Sequence, residues 1–281
     1  MRRSAFRAIL AATVVALAGC DGGGVAFIPA APTPEERPGT PEEQPGIIHT
    51  ATTSQEFAVM GDTIIDGFGS TLDSSVQIRV RYDAPTQAYQ VFLPDGLDWQ
   101  AIHYDLSSES AYSYSGPSVL LGVSKTANQY SQLISWNDGA NSGRDAVGIL
   151  TSAGDVPVTG TGTYSGQILG VTSEHHAQDF TFGGSIALAF DFGAGSLAGS
   201  ITPNLQQGYD AGTLNFRDTV YSAGDTKFSG TFDTDVAGVN TFSGQFTGPQ
   251  AEELIGNFAI PYRSSIDQLT YQANGAFIGK K

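Results

Sequence analysis

The residues best suited to metal chemistry form one short polar run. Glu174, His175 and His176 are consecutive, and Asp179 follows three residues later. Imidazole and carboxylate groups bind zinc, and histidine also ligates haem iron. The alternative is a solvated polar turn in the hairpin between two strands, which polar residues of this kind commonly form. We favour the turn, and we predict neither a metal site nor a cofactor.

A second acidic run resembles the opening of a calcium loop. Asp233 and Asp235 have the spacing of the first two ligands, and Gly238 follows three residues later. Ala237 occupies the place where a third oxygen ligand is needed, and no acidic residue closes the loop at the required distance. We therefore predict a plain turn here.

Catalytic motifs are missing from the sequence. It has no G-x-S-x-G elbow, H-E-x-x-H helix, phosphate-binding glycine loop or dinucleotide fingerprint. No nucleophile stands near a base in a recognisable spacing. The expectation is a protein that is not an enzyme.

Two tyrosines are the best candidates for ligand contact. Tyr112 and Tyr114 lie among serine, alanine and glycine in residues 110–116, and rigid amphipathic tyrosines among small residues suit protein recognition. The alternative is that both rings share one strand face and pack inside a sheet. The loop 137–143, with Arg144 and Asp145 after it, is a second candidate for contact or an ordinary solvated loop.

The last 120 residues read as a series of alternating strands. In the clearest run, Phe182, Phe190 and other apolar residues share one face and mostly small or polar residues share the other, which is a half-buried strand pattern. Short connections predict antiparallel neighbours, and glycines inside the strands permit the bending that a small barrel requires. The predicted strands are residues 161–171, 180–192, 195–203, 211–222, 226–233, 240–247, 254–262 and 269–278.

One stretch, residues 241–258, carries a family resemblance. Phe242, Gly244 and Phe246 alternate along a strand, Gly248-Pro249 ends it, a helical turn over residues 250–253 follows, and A-E-E-L-x-G-x-F begins the next strand at Ala251. This resembles the C-terminal β-barrel of transferrin-binding-protein-like surface lipoproteins, from which Thr247 and Ile255 depart. The upstream match is formed by Pro157, Gly160, Thr161, Thr163, Tyr164 and Gly166.

The direction of the apolar face decides the kind of barrel. An outer-membrane barrel turns its apolar residues outward, whereas here the face opposite the phenylalanines is made of threonine, serine, glutamine and asparagine. Eight strands leave an interior just wide enough for side chains, so phenylalanines fill it. We predict an all-β protein whose closed eight-stranded antiparallel barrel, residues 158–281, has a packed interior. Ligand contact is then left to loops and to the N-terminal sheet.

Residues 51–157 are expected to form a small, irregular antiparallel sheet. Residues 76–82 and 89–93 alternate and read as a hairpin across the turn formers at 83–85, and further short strands follow near Tyr112, near 119–123 and at 130–136. The resemblance implies that this sheet is the "handle" domain of a single handle-plus-barrel lobe. The Phe-Ser-Gly-x-Phe repeats that begin at Phe228 and Phe242 read as adjacent strands of one hairpin.

The N-terminus resembles a bacterial lipoprotein signal. Arg2 and Arg3 precede an apolar run, and Leu-Ala-Gly ends at Cys20, the only cysteine. Residues 1–19 are thus a predicted signal peptide, and Cys20 is the predicted acylated residue that holds the protein to a membrane. Residues 20–50, rich in proline and glutamate, are a predicted disordered tether.

Charge narrows the choice of partners. The chain has 13 basic and 28 acidic residues, so its surface is expected to repel the phosphate backbone of a nucleic acid. By resemblance we expect a non-catalytic, lipid-anchored binding protein of the cell envelope, placed at the outer membrane on its surface or periplasmic face. Its expected ligand is a host protein or a haem- or iron-related molecule, with an outer-membrane transporter as partner. The alternative is a structural, adhesin or accessory lipoprotein without a soluble ligand.

Overall fold

The computed structural model describes residues 46–65, 71–73, 77–173, 181–205, 209–210, 212–264 and 266–281. All of them belong to one compact unit, Glu43–Lys281. The signal peptide, Cys20, most of the tether and the run from Glu174 to Asp179 lie outside the described residues. Within the described ranges, no helix has the length and apolar character needed to cross a membrane.

The N-terminal half forms a ten-stranded antiparallel sheet, which we call the handle sheet. Its strands pair in the order β1-β4-β5-β6-β7-β8-β9-β10-β2-β3. The amide Nε2 of Gln77, just before β4, donates to the carbonyl of Gly61 in β2 at 3.1 Å, so the sheet curls until it is nearly closed. The strands are β1 (Gln55–Glu56), β2 (Ala58–Ile65), β3 (Thr71–Asp73), β4 (Arg79–Asp83), β5 (Ala88–Phe92), β6 (Gln100–Ser107), β7 (Ala111–Ser115), β8 (Leu120–Ser124), β9 (Ser131–Asn137) and β10 (Ser142–Gly148).

The C-terminal half forms a closed eight-stranded antiparallel barrel, as predicted. The strands pair in the order β12-β11-β19-β18-β17-β16-β15-β13, and β13 pairs with β12 to close the ring; the two-residue β14 pairs with β13. The strands are β11 (Thr161–Thr172), β12 (Thr181–Asp191), β13 (Ser196–Leu205), β14 (Tyr209–Asp210), β15 (Leu214–Val220), β16 (Lys227–Phe232), β17 (Thr241–Thr247), β18 (Glu253–Arg263) and β19 (Thr270–Lys280), with one 3₁₀ turn, Pro249–Ala251.

Aromatic rings fill the barrel. Phe246 is fully buried and is surrounded by other rings, with Phe190 at 4.9 Å and Phe228 at 5.5 Å between ring centroids. Phe182 and Phe232 are buried in the same cluster, which confirms the predicted packed interior. Such rings exclude water and contribute both area burial and edge-to-face contacts. The described part of the barrel therefore encloses a core.

Glycines inside the barrel strands make room for these rings. In the predicted hairpin, β16 and β17 do pair, and Gly244 lies opposite Phe228. A Cβ on Gly244 would come within 2.2 Å of the Phe228 ring, and one on Gly256 within 2.1 Å of the Phe277 ring. Since real Cβ atoms do not approach so closely, steric room is the clearest reason for glycine at both positions.

The handle sheet packs on the outside of the barrel. Ile255 and Ile278 point away from the barrel interior and are buried against Leu133 of β9 and Ala146 of β10, with Met60 of β2 beside them. Apolar residues on the otherwise polar outer face thus mark the strands that the handle sheet covers. Ile255, which departs from the family pattern, belongs to this contact.

The G-P-Q-A-E-E-L segment joins the two halves. Glu253 is 1% exposed, and its carboxylate accepts hydrogen bonds from the backbone N–H groups of Gln129 at 2.7 Å and Tyr130 at 2.9 Å and from the Ser131 hydroxyl at 2.8 Å. Gly248 has φ +73°, and a Cβ there would lie 2.5 Å from the Tyr130 ring. In place of the predicted helical turn over 250–253 there is a three-residue 3₁₀ turn, Pro249–Ala251, in which Gln250 has a positive φ of 55°, and the next strand begins at Glu253.

Candidate binding surface

A cluster of arginine and aromatic side chains lies on the handle sheet. We call it the arginine–tryptophan patch; it consists of Glu56, Arg79, Arg81, Phe92 and Trp99. Arg79 and Arg81 are two residues apart on β4, so they share the face opposite the buried Val80. The strand register places Arg79 opposite Phe92 of β5 and Arg81 opposite Glu56 of β1.

Trp99 stacks with both guanidinium groups. Its ring centroid is 5.0 Å from Cζ of Arg79 and 4.2 Å from Cζ of Arg81, and it makes an edge contact with Phe92 at 5.7 Å. These distances are within the range of cation–π attraction, which contributes about 0.5–1 kcal/mol at exposed sites. The stack holds rigid rings and donor groups at a partly exposed surface.

Ion pairing fixes the orientation of Arg79. Its Nε and Nη2 donate to the two carboxylate oxygens of Glu56 at 2.6 and 2.8 Å, and the Arg81 Nε donates to Oε1 of Gln90 at 2.7 Å. The hydrogen bond from Arg79 holds the pKa of the Glu56 carboxyl below its ordinary value, although partial burial opposes this. The two terminal nitrogens of Arg81 can donate hydrogen bonds to a bound partner.

An apolar side chain stands beside the patch. Leu97, two residues before Trp99, is 93% exposed in the loop between β5 and β6. Tryptophan and arginine are enriched among the residues that dominate protein–protein binding energy, and an exposed apolar neighbour extends the contact area. The composition of the patch therefore fits the recognition of a protein.

The two predicted ligand-binding tyrosines lie on β7 but differ in exposure. Tyr114 is 2% exposed and packs in the handle core, where burial raises the pKa of its hydroxyl. Tyr112 is half-buried at the edge of that core, with the Lys125 ammonium 4.7 Å from its ring centroid. Of the two, Tyr112 is the more accessible to a ligand, and the binding role of both stays a prediction.

The second candidate loop has a structural framework of its own. Its Asn141 is buried, and its Nδ2 contacts Asp95 at 3.3 Å and Asp138 at 3.4 Å. Asp145 is buried on β10 and accepts a hydrogen bond from Trp136 Nε1 at 2.8 Å. Arg144 donates to Thr181 of the barrel at 2.9 Å, and its burial lowers the pKa of the guanidinium.

The two polar runs considered as metal sites differ in whether the structure describes them. The Glu174–Asp179 run lies outside the described residues, so its predicted turn is still a prediction. In the calcium-like run, Asp233 pairs with Arg217 at 3.4 Å, and the N–H of Val236 donates to the Thr234 hydroxyl. Among the described residues, no three histidine, cysteine or acidic side chains come together as a metal site.

Comparison with known proteins identifies the barrel. Residues 156–281 match the family described as the C-lobe and N-lobe β-barrels of Tf-binding protein B. The C-terminal domain is thus similar in sequence to these barrels. A solved structure of a double mutant of the vaccine antigen Transferrin Binding Protein B from Haemophilus parasuis Hp5 has a TM-score of 0.50 and 17% identity over 79% of this chain and 44% of that one. No curated protein matches in sequence.

A second solved relative gives a similar coverage. The isotype 1 transferrin binding protein B from serogroup B Neisseria meningitidis has a TM-score of 0.46 and 16% identity, over 79% of this chain and 43% of that one. The present chain thus spans less than half the length of these solved proteins. Together with the barrel match, the Haemophilus structure confirms the transferrin-binding-protein-like fold predicted from the sequence.

The arginine–tryptophan patch was missed at the sequence level, although part of its signal was visible. The alternation of residues 76–82 already placed Arg79 and Arg81 on one strand face. Phe92 belonged to the predicted hairpin partner. Trp99 could not be placed from the sequence, because it comes from a loop whose path depends on the folded sheet.

Proposed function

We propose that this protein is a non-catalytic binding protein of the cell envelope that captures a soluble protein through the arginine–tryptophan patch. The observation that carries the proposal is the stacking of Trp99 on Arg79 and Arg81 at a partly exposed face beside Leu97. The fold supports a binding role, because solved relatives with this fold are named for binding transferrin.

The filled barrel supports recognition at the surface. The cluster around Phe190 and Phe246 occupies the interior of the barrel, so a ligand the size of haem would have to displace core side chains to enter it. A protein partner needs no cavity and can bind a rigid, partly apolar patch. The barrel interior would therefore not be the binding place of haem or another iron-related ligand.

Anchorage is the second part of the proposal. Acylation of Cys20 would hold the chain to the outer membrane, and the proline-rich segment would give the binding domains reach towards a transporter in the same membrane. This tether would end before Ile47, because Ile47 and Ile48 are buried in the handle core. Replacement of Cys20 by serine is expected to release the protein from the membrane fraction. Retention of the Cys20→Ser protein in that fraction would contradict lipid anchoring.

The binding proposal is tested by capture with matched variants. The full-length chain is immobilised and exposed to serum, and purified transferrin is applied separately because solved relatives bind it. Trp99→Ala combined with Leu97→Ala should reduce the captured protein at least tenfold, since central aromatic anchors contribute about 2 kcal/mol or more. Leu269→Ala, at an exposed barrel-loop residue, is the control and should capture normally.

The possible outcomes of this capture experiment lead to different conclusions. If the patch variant and the wild type captured equal amounts of protein, the binding surface would lie outside the patch. No capture from serum, and no change in haem absorption on titration, would favour the structural or accessory lipoprotein. Circular dichroism checks that each variant keeps its fold.

A further inference from the structure

A groove on the outside of the barrel is separate from the arginine–tryptophan patch. It has a volume of about 390 Å³ and runs between Met60 of the handle sheet and the turn that joins β15 to β16. This volume is within the range of small-molecule pockets, about 300–1,000 Å³. The pairing of β15 with β16 shifts register between Arg217 and Val220, at the side where Val220 lines the groove.

The floor of the groove is polar. Ser229 of β16 and Ser243 and Gln245 of β17 line it, in alternation with the inward-facing phenylalanines of the same strands. The Ser243 hydroxyl donates to Oδ1 of Asn257 at 2.6 Å, and Nε2 of Gln245 lies 3.8 Å from the sulfur of Met60. The Ser243 oxygen and the Gln245 carbonyl oxygen keep acceptor capacity, and the Ser229 hydroxyl can donate or accept.

The walls and the mouth differ in character. Met60 on one side and Val220, which is 64% exposed, on the other supply apolar surface. Asp225 and Lys227 line the same groove, and both are exposed. Within the described part of the chain, no ion pair neutralises either charge. The groove therefore offers an anion and a cation side by side at the turn end of a floor that can hydrogen-bond.

We propose that this groove binds a short zwitterionic peptide, about the size of a dipeptide, with an aliphatic side chain. Its α-ammonium group would face Asp225 and its carboxylate Lys227. Its peptide group would bind Gln245 and the floor serines, and its side chain would lie between Met60 and Val220. Each ligand group has a complementary group on the protein, which is how pockets with few polar groups gain specificity. This site is independent of the proposed protein-binding patch.

The test uses the full-length chain and leucyl-leucine, with its N-acetylated, C-amidated form as the uncharged comparison. Isothermal titration is expected to show saturable binding of leucyl-leucine and at least tenfold weaker binding of the blocked form. Lys227→Gln and Asp225→Asn should each weaken the affinity about two- to fivefold, as expected for exposed ion pairs. Arg263→Gln and Asp155→Asn make the same charge changes elsewhere and should leave the affinity unchanged.

Blocking the groove gives a second measurement that does not depend on charge. Ser229→Leu places a larger side chain on the floor, outside the barrel core, and should abolish binding while circular dichroism stays unchanged. Undetectable binding of leucyl-leucine would overturn the proposal. It would also fail if the blocked form bound equally well, or if Arg263→Gln weakened binding as much as Lys227→Gln.

Discussion

The carboxylate of Glu253 should be among the most costly single groups to remove from this molecule. It is buried at the start of β18 and accepts the backbone N–H groups of Gln129 and Tyr130 and the hydroxyl of Ser131, all within 2.9 Å. The Lys280 ammonium lies 3.8 Å away. These bonds join the barrel to the handle sheet, so their loss acts on both halves of the molecule.

The expected cost follows from these partners. Breaking a buried, hydrogen-bonded charge network by removing one member costs about 3–5 kcal/mol. Glu253→Ala leaves two N–H donors and a hydroxyl without their acceptor, so it should lower the free energy of unfolding by about 4 kcal/mol. Glu253→Gln keeps one acceptor oxygen, but its amide NH₂ faces a backbone N–H that is also a donor. This variant should therefore lower the free energy of unfolding by about 2 kcal/mol.

Urea denaturation and thermal unfolding measure this loss. For a unit of about 240 residues, 1 kcal/mol corresponds to about 2–4 °C, so Glu253→Ala should lower Tm by about 8–16 °C. The neighbouring Glu252 is exposed, and Glu252→Gln is the matched control with an expected change below about 0.5 kcal/mol. If Glu253→Gln and Glu252→Gln unfolded at the same urea concentration, the carboxylate would not be the link described here.

Three further predictions concern packing and titration. Gly256→Ala should cost at least about 2 kcal/mol in urea unfolding, because its Cβ would overlap the Phe277 ring, whereas Gly154→Ala, with open space around it, should be near neutral. Phe246→Ala should cost about 3–5 kcal/mol by opening a cavity in the barrel core, and a loss below 1 kcal/mol would contradict a filled interior. Burial raises the pKa of Tyr89 to about 12, so its contribution to stability is present below pH 10 and is lost as pH rises towards 12; Tyr89→Phe should flatten that decline in unfolding measurements.

The barrel was largely predictable because its strands repeat one local rule. Phenylalanine or glycine alternates with threonine, serine or glutamine, and all eight predicted runs overlap the eight barrel strands. Short connections then allow little besides antiparallel neighbours. The reason for the glycines was only partly predicted, since the contact of Gly244 with the Phe228 ring depends on register between strands.

The handle sheet was less predictable because its pairing is not local. β2 joins β10, and residues Ala58 and Gly148, which pair there, are far apart in sequence. A small sheet was expected, whereas the structure has a nearly closed sheet of ten strands. The contact between the handle sheet and the barrel is indicated in the sequence by Ile255 and Ile278, which are apolar residues on an otherwise polar strand face. The surface that covers them is known only from the folded chain.

The position of the arginine–tryptophan patch follows from what the other surfaces already contact. One face of the handle sheet is occupied by the handle core, which includes Val80 and Val91. The opposite face of β9, β10 and β2 is covered by the barrel through Leu133 and Ala146. The sheet curls so that β4 approaches β2, and the outer face of β4 and β5 presents the arginines and Trp99. Because the junction at Glu253 joins β9 to the barrel, a partner bound at the patch would be held by the same compact unit as the barrel. Weakening the junction by Glu253→Gln should therefore affect stability more than the affinity of the patch, and a variant that lost affinity while keeping its stability would contradict this separation.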